Sequence, residues 1–123
     1  MGKSFKDLEV WKCGRQLRVE FSSLAKTFPT EEKYRLVDQM IRASRSVTTN
    51  IAEGYGRFHY QENIQYCRHS RGSLTELQDH LSVAADEGFI TSQLAEEFNN
   101  KIEECTRILN GYIRFLQKSK KED

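Results

Sequence analysis

The sequence predicts an all-α protein, an antiparallel up-down-up-down four-helix bundle that forms one domain over residues 1–123. Apolar residues recur at spacings of three and four through four long segments, which is the period of an amphipathic helix. Turn residues between the segments are few, and Pro29 is the single proline. We find no internal repeat or linker. Helices of about 25 residues joined by short turns pack antiparallel.

The first two helices are separated by Pro29. The first carries an apolar stripe of Leu8, Trp11, Leu17, Phe21, Leu24 and Phe28. Thr30 then offers an N-cap for the second helix, and the acidic residues that follow it suit a helix N-terminus. The predicted stripe of this helix, which ends near Gly54 and Gly56, comprises Tyr34, Val37, Ile41, Ser44, Thr48, Ile51 and Tyr55, widened by Met40 and Val47.

The last two helices meet near Gly88, which is predicted as a helix C′ residue, and Thr91 is predicted as the next N-cap. The stripe of the third helix is Ile64, Cys67, Leu74, Leu77, Leu81 and Ala84. That of the fourth is Leu94, Phe98, Ile102, Cys105, Leu109, Tyr112 and Leu116. Six aromatic residues fall outside the stripes and predict self-association, because a small monomer would leave them as apolar patches: Phe5, Phe58, Tyr60, Tyr66, Phe89 and Phe115.

Composition excludes several classes of protein. No stretch approaches the roughly 20 apolar residues of a membrane-spanning helix. The first seven residues lack the apolar core of a signal peptide, so we expect a cytoplasmic protein without a membrane partner. Cys13, Cys67 and Cys105 are odd in number and widely spaced, which favours three packed thiols over a disulfide framework or zinc site.

The sequence contains no motif that indicates catalysis. Glu-x-x-His, the pattern of di-metal bundles, is absent, and Glu76 with His80 has the spacing of a surface hydrogen bond. Gly54-Tyr55-Gly56 lacks the Lys-Ser/Thr of a phosphate-binding loop. We therefore expect no enzymatic activity, no catalytic residues, no metal and no cofactor.

The charge is unevenly distributed along the chain. The formal net charge of +1 argues against general attraction to nucleic acid. However, residues 33–71 contain seven basic and three acidic residues, whereas residues 72–117 contain three basic and eight acidic ones. The chain thus divides into a basic and an acidic part.

Spacing sorts the arginines into two groups. Arg35, Arg42, Arg57 and Arg107 each follow an acid by four residues, as in ordinary surface pairs on a helix. Five others have no acid within one turn: Arg15, Arg18, Arg45, Arg68 and Arg71. Like charges three residues apart disfavour an isolated helix, so something outside it compensates. The pattern leaves open solvent and salt bridges to other helices or subunits, or contact with phosphates.

A polar ridge runs along the second helix beside its apolar stripe. Gln39, Arg42, Ser46, Asn50, Glu53 and Arg57 follow one another at spacings of three and four. Small residues on this helix (Ala43, Ser44, Ala52 and Gly54) and Gly72-Ser73 on the third predict close helix packing. The ridge is therefore interpreted as a hydrogen-bonded seam, with a ligand or partner site as the alternative.

The segment from Gln39 to Arg57 resembles the signature of a bacterial four-helix-bundle family encoded in intervening sequences of 23S rRNA genes. Its most specific part is Asn50-Ile51-Ala52-Glu53-Gly54. Similar segments fall at Leu8-Glu9-Val10-Trp11, Phe28-Pro29, Gly72 to Leu77 and Gly88-Phe89-Ile90, so the resemblance covers nearly the whole chain. Thr48-Thr49 departs from the family pattern, which often has proline there.

The resemblance implies a cytoplasmic, non-enzymatic bundle that assembles as a ring, a homopentamer. Distant relatives serve as accessory subunits of reverse transcriptases and bind nucleic acid, which makes RNA or a reverse transcriptase a candidate partner. Together with the five unpaired arginines, this leads to the hypothesis of an oligomeric module that binds RNA or a nucleoprotein. The alternative is a structural or protein-partner scaffold ring that binds no nucleic acid.

Overall fold

The computed structural model describes residues 4–122, with side chains for residues 4–120, and confirms the four-helix bundle. The helices are α1 (Glu9–Ala25), α2 (Leu36–Tyr55), α3 (Tyr60–Asp86) and α4 (Ser92–Glu122). Short 3-10 turns at Phe5–Asp7 and Thr30–Glu32 precede α1 and α2. Residues 4–122 contain no strand. The first three residues, part of the segment that lacks the apolar core of a signal peptide, lie outside the described range.

The four helices form a square in which chain neighbours are also neighbours in space. α1 packs against α2 and α4, and α3 packs against the same two helices, so α1 and α3 are diagonal across the described bundle. Short connections, residues 56–59 and 87–91, join α2 to α3 and α3 to α4. At one end of the bundle α1 and α3 begin while α2 and α4 end. The face between α1 and α2 therefore lies opposite the face between α3 and α4.

The core contains the predicted stripes of three helices almost unchanged. All six stripe residues of α3 are buried, and most of those on α1 and α4 are buried as well. Phe21 and Phe98 meet edge to face in the centre with ring centroids 5.0 Å apart, an arrangement that aromatic pairs favour. Their contact ties α1 to α4.

The predicted stripe of α2 is partly wrong. Tyr34 and Tyr55, at its two ends, are exposed, whereas its middle is buried as predicted: Met40, Ser44, Val47, Thr48 and Ile51. Leu36, Ala43 and Gly54 also face the core, although the predicted stripe omits them. The reason is that α2 packs against both α1 and α3, so apolar residues on its flank, such as Val37 and Ile41, line the edge toward α1 and are only half-buried. The predicted stripe includes that flank together with the buried middle of the helix.

The helix ends confirm two predicted caps and correct a third. Gly88 has φ of +78°, a left-handed conformation that glycine adopts without strain. The Leu94 amide donates to Thr91 Oγ1 at 3.0 Å, as expected of an N-cap. Thr30, by contrast, begins a 3-10 turn rather than capping α2. The first amide of α2, that of Leu36, donates to the Glu32 carboxylate at 3.3 Å.

Glycine permits close approach where α2 meets both neighbours. A Cβ on Gly54 would lie 2.7 Å from Asn63 Oδ1 and 2.9 Å from Tyr66 Cβ, both on α3. One on Gly14, which the sequence did not single out, would lie 3.1 Å from a Val47 methyl. The same prediction for Gly72 is wrong, because that glycine is exposed and a Cβ added to it would meet no atom within 4 Å.

Candidate nucleic-acid interface

The five arginines singled out from the sequence lie on two opposite faces of the bundle. Arg15 and Arg18 are on α1, and Arg45 is on α2, which packs against α1. Arg68 and Arg71 are on α3, which is diagonal to α1. Three of these residues therefore lie on the packed helices α1 and α2, and two lie on α3 where it packs against α4.

The first group belongs to a wider surface, which we call the α1–α2 basic surface: Arg15, Arg18, Lys26, Lys33 and Arg45. Lys26 and Lys33 line a groove of about 290 Å³ between the two helices, and Ser22, one turn beyond Arg18, lies in the same groove. None of the five pairs with an acid within residues 4–120. This surface carries positive charge that no described acid neutralises.

Arg18 differs from its two arginine neighbours on this surface. It is half-buried, and its Nη1 donates to Thr48 Oγ1 at 2.9 Å across the α1–α2 contact. The hydroxyl is neutral, so the bond satisfies a donor of the guanidinium without cancelling its charge. Arg15 and Arg45 are exposed. These two side chains are therefore free to reach a ligand.

The second group lies in what we call the α3–α4 basic groove: Gln61, Ile64, Arg68, Gln117 and Lys120 enclose about 460 Å³. The Lys120 ammonium hydrogen-bonds to Gln61 and so links α4 to α3. One turn further along α3, Arg71 Nη1 donates to Asn110 Oδ1 at 2.7 Å. As with Arg18, the partner of Arg71 is neutral, and its charge is retained.

Three of the four arginines with paired spacing form ion pairs, one of them with a change of partner. The prediction for Arg35 is wrong, because within residues 4–120 it makes no ion pair with Glu31 or any other acid. Arg42 pairs with Asp38 at 3.3 Å and Arg57 with Glu53 at 3.0 Å, as their spacing predicts. For Arg107 the spacing predicts Glu103, but the partner is Glu104 at 2.6 Å, three residues away. These pairs are exposed and contribute little to stability, but they neutralise the arginines locally.

The polar ridge of α2 lies along the contact with α3. Ser73 on α3 donates to Ser46 Oγ at 2.9 Å, and the Asn50 amide donates to the same hydroxyl oxygen at 2.9 Å. At the end of the ridge, Arg57 donates to Tyr66 Oη at 2.6 Å and its guanidinium lies 4.9 Å from the Tyr66 ring centroid. Gln39, at the other end, is exposed. Of the ridge residues, Ser46 and Arg57 therefore bond to α3, whereas Gln39, Arg42 and Glu53 are exposed.

The described residues hold no arrangement that indicates catalysis. Within residues 4–122 no group of three His, Cys, Asp or Glu side chains is close enough to bind a metal ion. His80 Nε2 lies 2.9 Å from Glu76 Oε2, the hydrogen bond that the spacing predicts. Burial raises the pKa of the Cys67 thiol to about 11, which keeps it protonated. None of the three cysteines is in a disulfide.

One part of the surface is not assigned to any site by the sequence. The exposed aromatic side chains Tyr55, Phe58, Tyr60 and Phe115 gather at the end of the bundle where α2 joins α3. Three of the four fall outside the predicted stripes, and this is the one feature of the sequence that indicates their exposure. Only the fold brings the end of α4 beside the α2–α3 connection, so the sequence could not show that they form one cluster.

Comparison with known proteins places the chain in a family. The sequence profile of 23S rRNA-intervening sequence proteins matches residues 6–111, most of the chain. The chain belongs to this family. The Asn50–Gly54 segment that suggested the resemblance lies within the match, and its Gly54 lies where α2 approaches α3 closely.

A solved structure from the same group of proteins shares the fold. It is a protein of unknown function from the S23 ribosomal protein family of Bacteroides thetaiotaomicron, with a TM-score of 0.79 and 22% sequence identity. The match covers 85% of this chain and 95% of that one. No curated protein matches the chain in sequence. Among the described residues, no helix is both long and apolar enough to span a membrane.

Proposed function

We propose that this member of the 23S rRNA-intervening sequence family is a non-enzymatic, self-associating RNA-binding module that contacts phosphates through the α1–α2 basic surface. The observation that carries the proposal is the pairing pattern: the exposed Arg15 and Arg45 make no ion pair with a described acid, whereas Arg42, Arg57 and Arg107 do. The planar guanidinium group binds phosphate through two parallel hydrogen bonds.

The arrangement suits recognition of a backbone rather than of bases. Arg15 and Arg45 are exposed and lie in the middle of two helices that pack against each other, rather than on a loop or at a helix end. Contacts of this kind position a protein on phosphates and carry no sequence information. We therefore expect affinity for structured RNA with weak sequence preference and strong salt dependence.

The test is a titration of the purified protein with a labelled RNA hairpin between about 50 and 300 mM salt, the range over which counterion release is measured. The double variant Arg15→Gln/Arg45→Gln should bind more weakly and flatten the slope of log affinity against log salt by about one to two. Its control is Arg42→Gln/Arg107→Gln, which removes the same charge from arginines already paired with acids. The control variant should show nearly the same salt dependence of RNA affinity as the wild type.

Absence of hairpin binding by the wild type at the lowest salt concentration would contradict the proposal. Equal losses of RNA affinity in the two double variants would show that only the net charge of the protein matters. That result would contradict a specific role of the α1–α2 basic surface.

A second candidate function is a scaffold ring in which this surface meets acids of another copy. Glu96, Glu97 and Glu103 on α4 are exposed and make no ion pair within the described range, and the exposed Val19 lies beside Arg15 on α1. A head-to-tail contact between such different surfaces closes into a ring when the rotation allows it. A pentamer is the size that the family resemblance implies.

Light scattering distinguishes the two functions. If Arg15→Gln/Arg45→Gln lowers the mass of the assembly and leaves RNA affinity per assembly unchanged, the scaffold is the better interpretation. A monomer at micromolar concentration in the wild type would exclude the ring.

A further inference from the structure

The exposed aromatic residues are concentrated at one end of the bundle. Seven large apolar side chains are exposed in the described chain, and four of them form what we call the aromatic end: Tyr55 (37% exposed), Phe58 (93%), Tyr60 (38%) and Phe115 (60%). An aromatic ring left almost wholly in water, as Phe58 is, contributes nothing to the core. Clusters of this kind on a protein surface mark binding sites.

The rings surround a hollow rather than a flat patch. Side chains from α2, α3, α4 and the α2–α3 connection enclose about 450 Å³ at this end. Phe115 stacks on Tyr112 with planes 15° apart, and Phe58 meets His59 edge to face at 5.1 Å. Phe115 is 60% exposed, so its ring is accessible to a further planar group.

The aromatic end is continuous with the α3–α4 basic groove. Gln61 and Lys120 line that groove together with Arg68, and they also line a second hollow of about 370 Å³ with Phe58, His59 and Tyr60. From Arg71 to Tyr60 the groove follows 11 residues of α3, a path of about 16 Å at the rise of an α-helix. The cationic side chains of the groove are therefore followed directly by the exposed rings of the aromatic end.

We propose that the aromatic end stacks unpaired bases of a single-stranded RNA segment while the α3–α4 basic groove holds the phosphates that follow it. A cationic groove that ends on exposed aromatic rings is the arrangement by which proteins hold single strands, since every base has a face that can stack. Bases inside a duplex are already stacked and cannot use the rings. The inference rests on the proposed RNA binding and adds to it a distinct face and a distinct form of RNA.

The test compares binding of a labelled oligouridine of about 12 nucleotides with binding of the labelled hairpin at about 50 mM salt. Phe58→Ala/Phe115→Ala should weaken oligouridine binding at least about 10-fold, given the usual loss for each stacked base, and change hairpin binding by less than about 2-fold. Phe58→Trp should retain binding, and its added indole emission should be quenched on titration with oligouridine.

Tyr34→Ala is the matched control, because Tyr34 is 83% exposed and lies toward the opposite end of the bundle. It should leave both affinities unchanged. Arg68→Gln should flatten the salt dependence for oligouridine, while the aromatic variants should leave that slope unchanged. Thermal unfolding of each variant checks the fold, which removal of exposed rings should preserve.

The outcomes separate this inference from the proposed function. If the wild type binds the hairpin but Phe58→Ala/Phe115→Ala retains full oligouridine affinity, or Tyr34→Ala loses as much, the inference is overturned and the proposed function stands. A change of assembly mass in the aromatic variants without loss of RNA affinity would assign this end to subunit contact and also overturn it. If the wild type binds neither RNA, both proposals fail.

Discussion

Arg18 Nη1 donates to Thr48 Oγ1 at 2.9 Å, so a charged group on α1 is held by a neutral hydroxyl on α2. The same hydroxyl donates to the Arg45 carbonyl oxygen one turn earlier at 3.3 Å. Thr48 is buried, and its hydroxyl group bonds to both the backbone of α2 and the guanidinium of Arg18. Arg18 consequently has a structural role that its exposed neighbours Arg15 and Arg45 do not share.

Thr48→Val should lower the free energy of unfolding by about 1 kcal/mol, because it removes the acceptor for Arg18 while preserving side-chain volume. A double-mutant cycle with Arg18→Met, measured by urea unfolding, should yield a coupling of at least about 0.5 kcal/mol. Thr49→Val is the control, since Thr49 is exposed on the same helix. Independent, additive effects of the Arg18 and Thr48 substitutions would contradict this role.

Gly54→Ala should destabilise the fold by about 1–3 kcal/mol in urea unfolding, because the new Cβ would meet the Asn63 backbone oxygen at 3.1 Å as well as the side chains of α3. Gly72→Ala is the matched control within a helix. Nothing lies within 4 Å of the added Cβ there, so the substitution should stabilise by about 0.5–1 kcal/mol. Opposite signs for the two variants are the expected result, and equal signs would refute the close α2–α3 contact.

The three thiols should react at different rates with iodoacetamide at about pH 8. Cys67 is buried and its pKa is raised to about 11, so roughly 0.1% of it is thiolate at that pH. The interaction between the two other thiols lowers the pKa of Cys13 and raises that of Cys105, and burial raises the pKa of Cys105 further. Mass spectrometry should find Cys13 labelled first, and all three thiols labelled in denaturant. Cys67 labelled as fast as Cys13 would contradict the structure.

The contact between Glu20 and Lys101 should make stability depend on pH. The hydrogen bond from Lys101 lowers the pKa of the Glu20 carboxyl, so its stabilising effect is present above the unfolded pKa of about 4.3 and is lost as pH falls through the lower folded value. Glu20→Gln should therefore lower the melting temperature at pH 7, by an amount equivalent to at most about 1 kcal/mol. At pH 3 the difference from the wild type should be smaller.

Glu103→Gln serves as the control for that measurement, because Glu103 is exposed and makes no ion pair within the described residues. It should show no such pH-dependent difference. A wild type that loses no more stability than Glu20→Gln on acidification would argue against the Glu20–Lys101 contact.

Helical periodicity is sufficient to predict the bundle and most of its core, because α3 and α4 each bury one clear stripe. On α2 it is only partly right, because Val37 and Ile41 draw the predicted stripe toward the flank that faces α1 and its ends, Tyr34 and Tyr55, are exposed. A helix with two packed neighbours has a broad apolar surface, and its centre depends on how the neighbours are placed. The start of α2 is also missed, because the 3-10 turn after Pro29 uses residues that look like a helix N-terminus.

The sequence identifies individual residues of the candidate site but not how the fold arranges them. Spacing identifies Arg15, Arg45 and Arg68 as arginines without a local acid, since that depends on neighbours within one turn. Their division between two faces depends on which helices are diagonal, and the neutral partner of Arg71 is 39 residues away in the chain. Contacts at that separation have no signature in a single sequence.

The diagonal placement of α1 and α3 has a consequence for how the protein can engage a long polymer. The α1–α2 basic surface and the α3–α4 basic groove point away from each other across a bundle about two helices thick, roughly 20 Å. A straight rod can lie along only one of them. A flexible or folded polymer can reach both sites. Once it is bound at one site, its effective concentration at the other is high, which favours the second contact. Under the two proposals made above, one copy of the chain is bivalent and bridges two segments of RNA rather than enclosing one.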